Sequence, residues 1–125
     1  MNENELSREI VDACFKIHTK LGPGLLESVY EEVLAYELSN RGLLIRRQAP
    51  IPVVYDDIKL ELGFRADIIV GDIVIVEIKS IESIAAVHQK QVLTYLKLAG
   101  MKLGLLINFN CALIKDGIQR IVNGL

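Results

Sequence analysis

Leu103-Gly-Leu-Leu-Ile-Asn-Phe109 is an almost continuous apolar run, and nothing in the chain approaches the length of a membrane span. A run this short, without the alternation of a half-exposed strand, reads as a strand covered on both faces. Such a strand demands a sheet with helices packed on it, which confines the chain to the α/β or α+β layered folds.

The rest of the sequence supplies the other layers. Leu6, Ile10, Cys14, Ile17, His18 and Leu21 recur at three- and four-residue steps and predict a helix from about Glu5 to Leu21, stopped by Gly22-Pro23-Gly24. A second helix is expected from about Leu25 to Asn40, with Leu26, Val29, Tyr30, Val33, Leu34 and Leu38 as its apolar stripe and Arg41-Gly42 as its stop. From Leu43 the rhythm changes to short β-type runs at 43–47, 51–55, 58–62, 64–70 and 73–79. Ala49-Pro50, Asp56-Asp57 and Gly71-Asp72 supply turn chemistry between them, the pattern of an antiparallel meander. Ser80 to Ala99 reads as a third helix ended by Gly100, and short strands at Ala112–Ile114 and Ile118–Val122 flank a Lys115-Asp116-Gly117 turn. The expected order is ααβββββαβββ: a mixed central sheet with an antiparallel meander, flanked by helices, in a single domain spanning residues 1–125.

Composition narrows the function classes. Fourteen Lys and Arg against sixteen Asp and Glu give a net charge of −2, and the basic residues are scattered. That argues against a passive, high-affinity nucleic-acid binder, which needs a concentrated cationic surface, but leaves room for an enzyme. The acidic start Met1-Asn2-Glu3-Asn4-Glu5 is unlike a signal peptide and points to a cytoplasmic protein with no membrane partner. Cys14 and Cys111 are expected to be reduced structural thiols, since His18 and His88 do not stand at metal-ligand spacing from them.

The chemistry concentrates where strands break their own pattern. In 73–79, alternation puts Ile73, Ile75, Glu77 and Lys79 on one face and Val74, Val76 and Ile78 on the other, so Glu77 and Lys79 are neighbours. Asp67 interrupts another apolar strand, and a buried carboxylate without a partner costs several kcal/mol, so it calls for a cation or a metal. Hairpin register decides whether the two acids meet. A strict two-residue Gly71-Asp72 loop pairs Asp67 with Val76 and sends it to the face opposite Glu77, whereas a three-residue loop or a bulge sets Asp67 against Glu77. A shared metal therefore predicts an irregular hairpin. In the second helix Glu27 is expected to lean toward the core while Glu31 and Glu32 turn away, and Glu37 also falls on the stripe. In the third, His88, Gln91 and Tyr95 share a face with Ile84 and Leu98. Each group has a plainer reading: Asp67 as a turn cap or partner of Arg65, Glu77 with Lys79 as an edge ion pair, Gln91 and Tyr95 as satisfied core polar groups.

Taken together, Asp67, Glu77-Ile78-Lys79 and Gln91-Val-Leu-Thr-Tyr95 resemble the PD-(D/E)XK nuclease superfamily in its D…ExK…QxxxY arrangement. Gly24-Leu-Leu-Glu27-Ser-Val-Tyr30 resembles the signature of the GxxExxY family within it, although Ala66 stands where the superfamily motif has proline. The resemblance implies a restriction-endonuclease-like core and a Mg²⁺- or Mn²⁺-dependent nuclease of DNA or RNA. Asp67, Glu77 and the backbone carbonyl of Ile78 would hold the metal, with Glu27 completing the site directly or through water. Lys79 would orient or help deprotonate the attacking water, and Gln91, Tyr95, Tyr30 and His88 would position the site or the substrate. The resemblance leaves two rivals: a non-catalytic accessory module that binds nucleic acid or protein, and a structural domain that dimerises through a strand edge.

Overall fold

The computed structural model describes residues 1–125, apart from the side chains of residues 61 and 62. Helix α1 spans Glu3–Leu21 and is set by a reciprocal cap, in which Asn2 Oδ1 accepts from the Glu5 N–H and Glu5 Oε1 accepts from the Asn2 N–H. It ends at Gly22, whose φ of 68° suits a residue without a Cβ. Helix α2 spans Glu27–Asn40, two residues shorter at its start than expected because Leu25 and Leu26 remain extended loop.

Five predicted β-runs merge into three strands: β1 (Ile45–Tyr55), β2 (Ile58–Val70) and β3 (Val74–Lys79). Ala49-Pro50 makes no turn, since Ala49 pairs with Ala66 and Pro50 with Arg65 inside the ladder. The proline is tolerated because β1 is an edge strand, where one side needs no N–H donor. Asp56-Asp57 is the turn expected, joining Tyr55 to its partner Ile58.

Helix α3 spans Ala86–Ala99, six residues shorter at its start than predicted. Residues 80–85 are claimed by other partners: Asn108 Oδ1 accepts from the Ile81 N–H, Asn108 Nδ2 donates to the Ile81 carbonyl, and the Ala85 N–H donates to His88 Nδ1. Strand β4 (Leu103–Asn108) follows, every residue buried as the apolar run required. The expected strand at Ala112–Ile114 is absent. Its place is taken by a 3₁₀ turn over Ile114–Gly117 leading into β5 (Ile118–Val122), and Gly117 lies so close to the Asn108 carbonyl that an added Cβ would fall within 2.1 Å of it.

The sheet order is β1-β2-β3-β4-β5, antiparallel except for the β3–β4 pair, which α3 connects as a crossover. Two apolar layers sandwich it. On one face α1 and α2 bury Ile10, Tyr30, Leu34 and Leu38 against Val74, Val76 and Ile78; on the other, α3 buries Val92 and Leu96 against Ile75 and Leu106. Ala66 and Ile68 are two residues apart, yet the first packs in the α3 layer and the second in the α1–α2 layer. Strand β1 behaves alike: Ile45 packs with α1 and α2, whereas Ala49 and Ile51 pack with α3. The β1–β2 ribbon thus rolls over at Gln48 and Asp67.

Candidate active site at the parting of two strands

The β2–β3 hairpin is irregular. Its loop is Gly71, Asp72 and Ile73, with φ of 60° at both Gly71 and Asp72, and the ladder runs Val70↔Val74, Ile69↔Ile75, Ile68↔Val76. One residue further on Asp67 stands beside Glu77, the register that a shared site requires.

There the two strands part. Strand β1 continues along β2 to the hairpin tip, β3 continues along β4 to Lys79↔Asn108, and the β2–β3 ladder stops at Ile68↔Val76. The carboxylates fill the gap by accepting from backbone donors: the Asp67 N–H donates to Glu77 Oε1 at 3.2 Å, and the Ile78 N–H to Asp67 Oδ2 at 2.8 Å. Glu77 is 6% exposed. Burial pushes its carboxyl up to about 8, helped by the negative charge of Asp67. Burial also raises Asp67, so the pair resists carrying two negative charges at once. Tyr95 is raised by burial and then by the charges of Glu77 and Asp67, and its ring packs against Phe64 at 4.8 Å.

Two ion pairs offered as plainer readings do not form. Arg65 donates to the Gln48 carbonyl and makes no ion pair with Asp67 among the described residues, and the half-buried Lys79 makes none with Glu77. Glu37 is drawn toward α1 by Lys16 at 2.9 Å and is held also by Arg41 at 3.3 Å. Glu27 is exposed at the start of α2, where its Oε1 accepts from the Ser80 N–H at 3.3 Å, next to Lys79. Tyr30, expected to position substrate, is fully buried: its ring stacks on Phe109 at 4.4 Å, and its hydroxyl donates to the Gly22 carbonyl and accepts from the Leu25 N–H. What Tyr30 positions is the loop that launches Glu27. His88 Nδ1 is occupied by the Ala85 N–H, and Gln91 is exposed one turn before Tyr95.

Sequence reasoning missed three residues. Glu31, expected to turn outward, is 7% exposed. It receives Arg47 Nε and Nη2 at 3.2 and 2.9 Å and Gln48 Nε2 at 2.7 Å, and its charge is felt at Asp67. The helical wheel contained the signal, since seven residues make two turns less about 20°, which sets Glu31 nearly over Leu38. Gln48 reaches Asp67 Oδ1 at 3.4 Å, and Asn108 fixes the loop after Lys79; neither carried a periodic signature.

Among the described residues no three His, Cys, Asp or Glu side chains converge on one point. The donor set is two carboxylates, which suits a hard divalent cation that keeps several waters and takes its remaining ligands from backbone or phosphate oxygen. The arrangement has the parts for metal-assisted hydrolysis: an acid pair whose mutual repulsion a cation would relieve, and an ammonium two residues along the same strand. No curated protein and no solved structure matches the chain. A family model described as the PD-(D/E)XK nuclease superfamily matches residues 4–121. A match of that extent, reaching from the first helix to the last strand, places the chain in the PD-(D/E)XK nuclease superfamily.

Proposed function

We propose that the protein is a Mg²⁺- or Mn²⁺-dependent phosphodiesterase that hydrolyses DNA or RNA at the parting of β2 and β3. The observation that carries this reading is the juxtaposition of Asp67 and Glu77 at the end of their shared ladder, with Lys79 on the same strand and unpaired among the described residues. A divalent ion bound there would lower the pKa of a water and offset charge on the phosphate.

Asp67, Glu77 and the Ile78 carbonyl would hold the ion, with Glu27 in support directly or through water. Lys79 donates to the attacking water or to a phosphate oxygen. Tyr95 and Gln91 line the α3 side, where they orient the substrate backbone. His88 lies at the start of that same helix, and Tyr30 acts through the Gly22–Leu25 loop. Gly24, Glu27 and Tyr30 fit the GxxExxY pattern: Gly24 has φ of 99°, Tyr30 bonds to Gly22 and Leu25 on either side of it, and Glu27 accepts from the Ser80 N–H. A cytoplasmic setting and a second subunit or protein partner to supply specificity complete the proposal; no described helix is long and apolar enough to cross a membrane.

The test is calorimetric titration of Mn²⁺ into wild type and Asp67→Asn, followed by incubation with single- and double-stranded DNA and RNA. Chelator-sensitive cleavage lost in the variant supports the nuclease. Metal-independent binding without cleavage would move the function to a non-catalytic accessory module.

A further inference from the structure

Among the described residues Gln48 is one of three non-glycines with a left-handed backbone, and the only one of them inside a strand; its φ is 47°. That conformation costs about 1 kcal/mol or more for a residue with a Cβ, and glycine or asparagine would adopt it more cheaply. A glutamine there is explained by what its side chain reaches. Nε2 donates to Glu31 Oε1 at 2.7 Å and to Asp67 Oδ1 at 3.4 Å, so a single amide bridges an acid from α2 and an acid from β2. Arg47, the preceding residue, grips the other oxygen of Glu31, while the Ile78 N–H takes the other oxygen of Asp67. Both oxygens of Asp67 therefore have a fixed donor, and the plane of its carboxylate is set from two sides. The roll-over of the β1–β2 ribbon at Gln48 and Asp67 is what allows an acid on the α2 side to connect with one that faces Glu77.

We infer that Gln48, backed by the Glu31–Arg47 pair, is a positioning residue that presets the Asp67 carboxylate for a divalent cation. The inference rests on the proposed metal site and adds what holds its first ligand in place. Groups that orient a ligating carboxylate are worth roughly 10–100-fold in metal affinity.

Gln48→Gly separates this role from a purely structural one, because it relieves the backbone while removing the amide. Gln48→Asn is the second variant: it keeps an amide and tolerates the backbone but is one methylene too short to span both acids. Mn²⁺ is titrated calorimetrically into the wild type, both variants and Glu77→Ala, with melting temperatures recorded for the metal-free proteins. The expected result is Mn²⁺ binding weakened about tenfold or more in both Gln48 variants, with melting within a few degrees of wild type. Binding unchanged in both variants, but lost in Glu77→Ala, overturns the inference and leaves the metal site standing. Weakened binding with collapse of the melting temperature in both assigns Gln48 to the fold and also overturns it. A wild type that takes up no Mn²⁺ removes the metal site and this inference together.

Discussion

A glutamate as buried as Glu77, next to a second carboxylate, makes the metal-free protein less stable as pH rises. Its folded value near 8 lies above the ordinary 4.5, so between those values the unfolded chain has lost the proton and the folded chain keeps it. The contribution of this carboxyl to stability is full below about pH 4.5 and is lost through pH 8, the reverse of a salt-bridged acid such as Glu37. Glu77→Gln imitates the protonated form, keeping an oxygen for the Asp67 N–H. It should flatten the decline and stabilise the metal-free protein at pH 9 by about 2–4 kcal/mol, read from urea unfolding at pH 5 and pH 9, while abolishing cleavage. Lys79→Ala should leave unfolding nearly unchanged and lower cleavage by about 10²–10⁴-fold, measured on the substrate that wild type cuts. At this scale the sequence was legible where strand alternation applied: Glu77 and Lys79 were placed on their face by period two alone. Glu31 and Gln48 were not, because one was misread on its helical wheel and the other owes its direction to a backbone kink that no periodicity encodes.

Among elements, the segment between α1 and α2 is short and rigid for a stated reason. Tyr30 ties its hydroxyl to both ends of that turn, and Ser80 Oγ donates to the Leu25 carbonyl. Tyr30→Phe should cost about 1 kcal/mol, because it leaves a part-buried carbonyl and an N–H without their side-chain partner, and should reduce cleavage although every acid remains. Thermal unfolding beside a turnover assay checks both halves. Asn108→Ala should act in the same way through the loop after Lys79, whose two backbone bonds it removes. The helices α1 and α2 and the buried strand β4 were readable because apolar spacing dominates there. The six residues before α3 and the 3₁₀ turn at Ile114–Gly117 were not, since Asn108, distant in sequence, sets the first and a close approach to the backbone sets the second.

For the whole molecule, the sheet with helices on both faces follows from β4 being buried throughout and β3 as far as Ile78, and the sequence announced this in the nearly unbroken apolar run of β4. An ion that relieves the acid pair stabilises the entire fold by mass action. At one hundred times its dissociation constant, Mn²⁺ should add about 2.7 kcal/mol, or roughly 10 °C in melting temperature at pH 8, and EDTA should reverse it.

The unfinished ladder between β2 and β3 ties chemistry to architecture in inheritance as well as in energy. Asp67 and Glu77 serve as backbone surrogates, accepting from N–H groups that another strand would otherwise satisfy. A lineage that abandoned catalysis could not simply replace them with alanine, for two donors would be orphaned; it would have to zip the strands shut or substitute asparagine and glutamine. Among descendants of such a chain, retirement from chemistry would be recorded in the hydrogen bonds of the sheet.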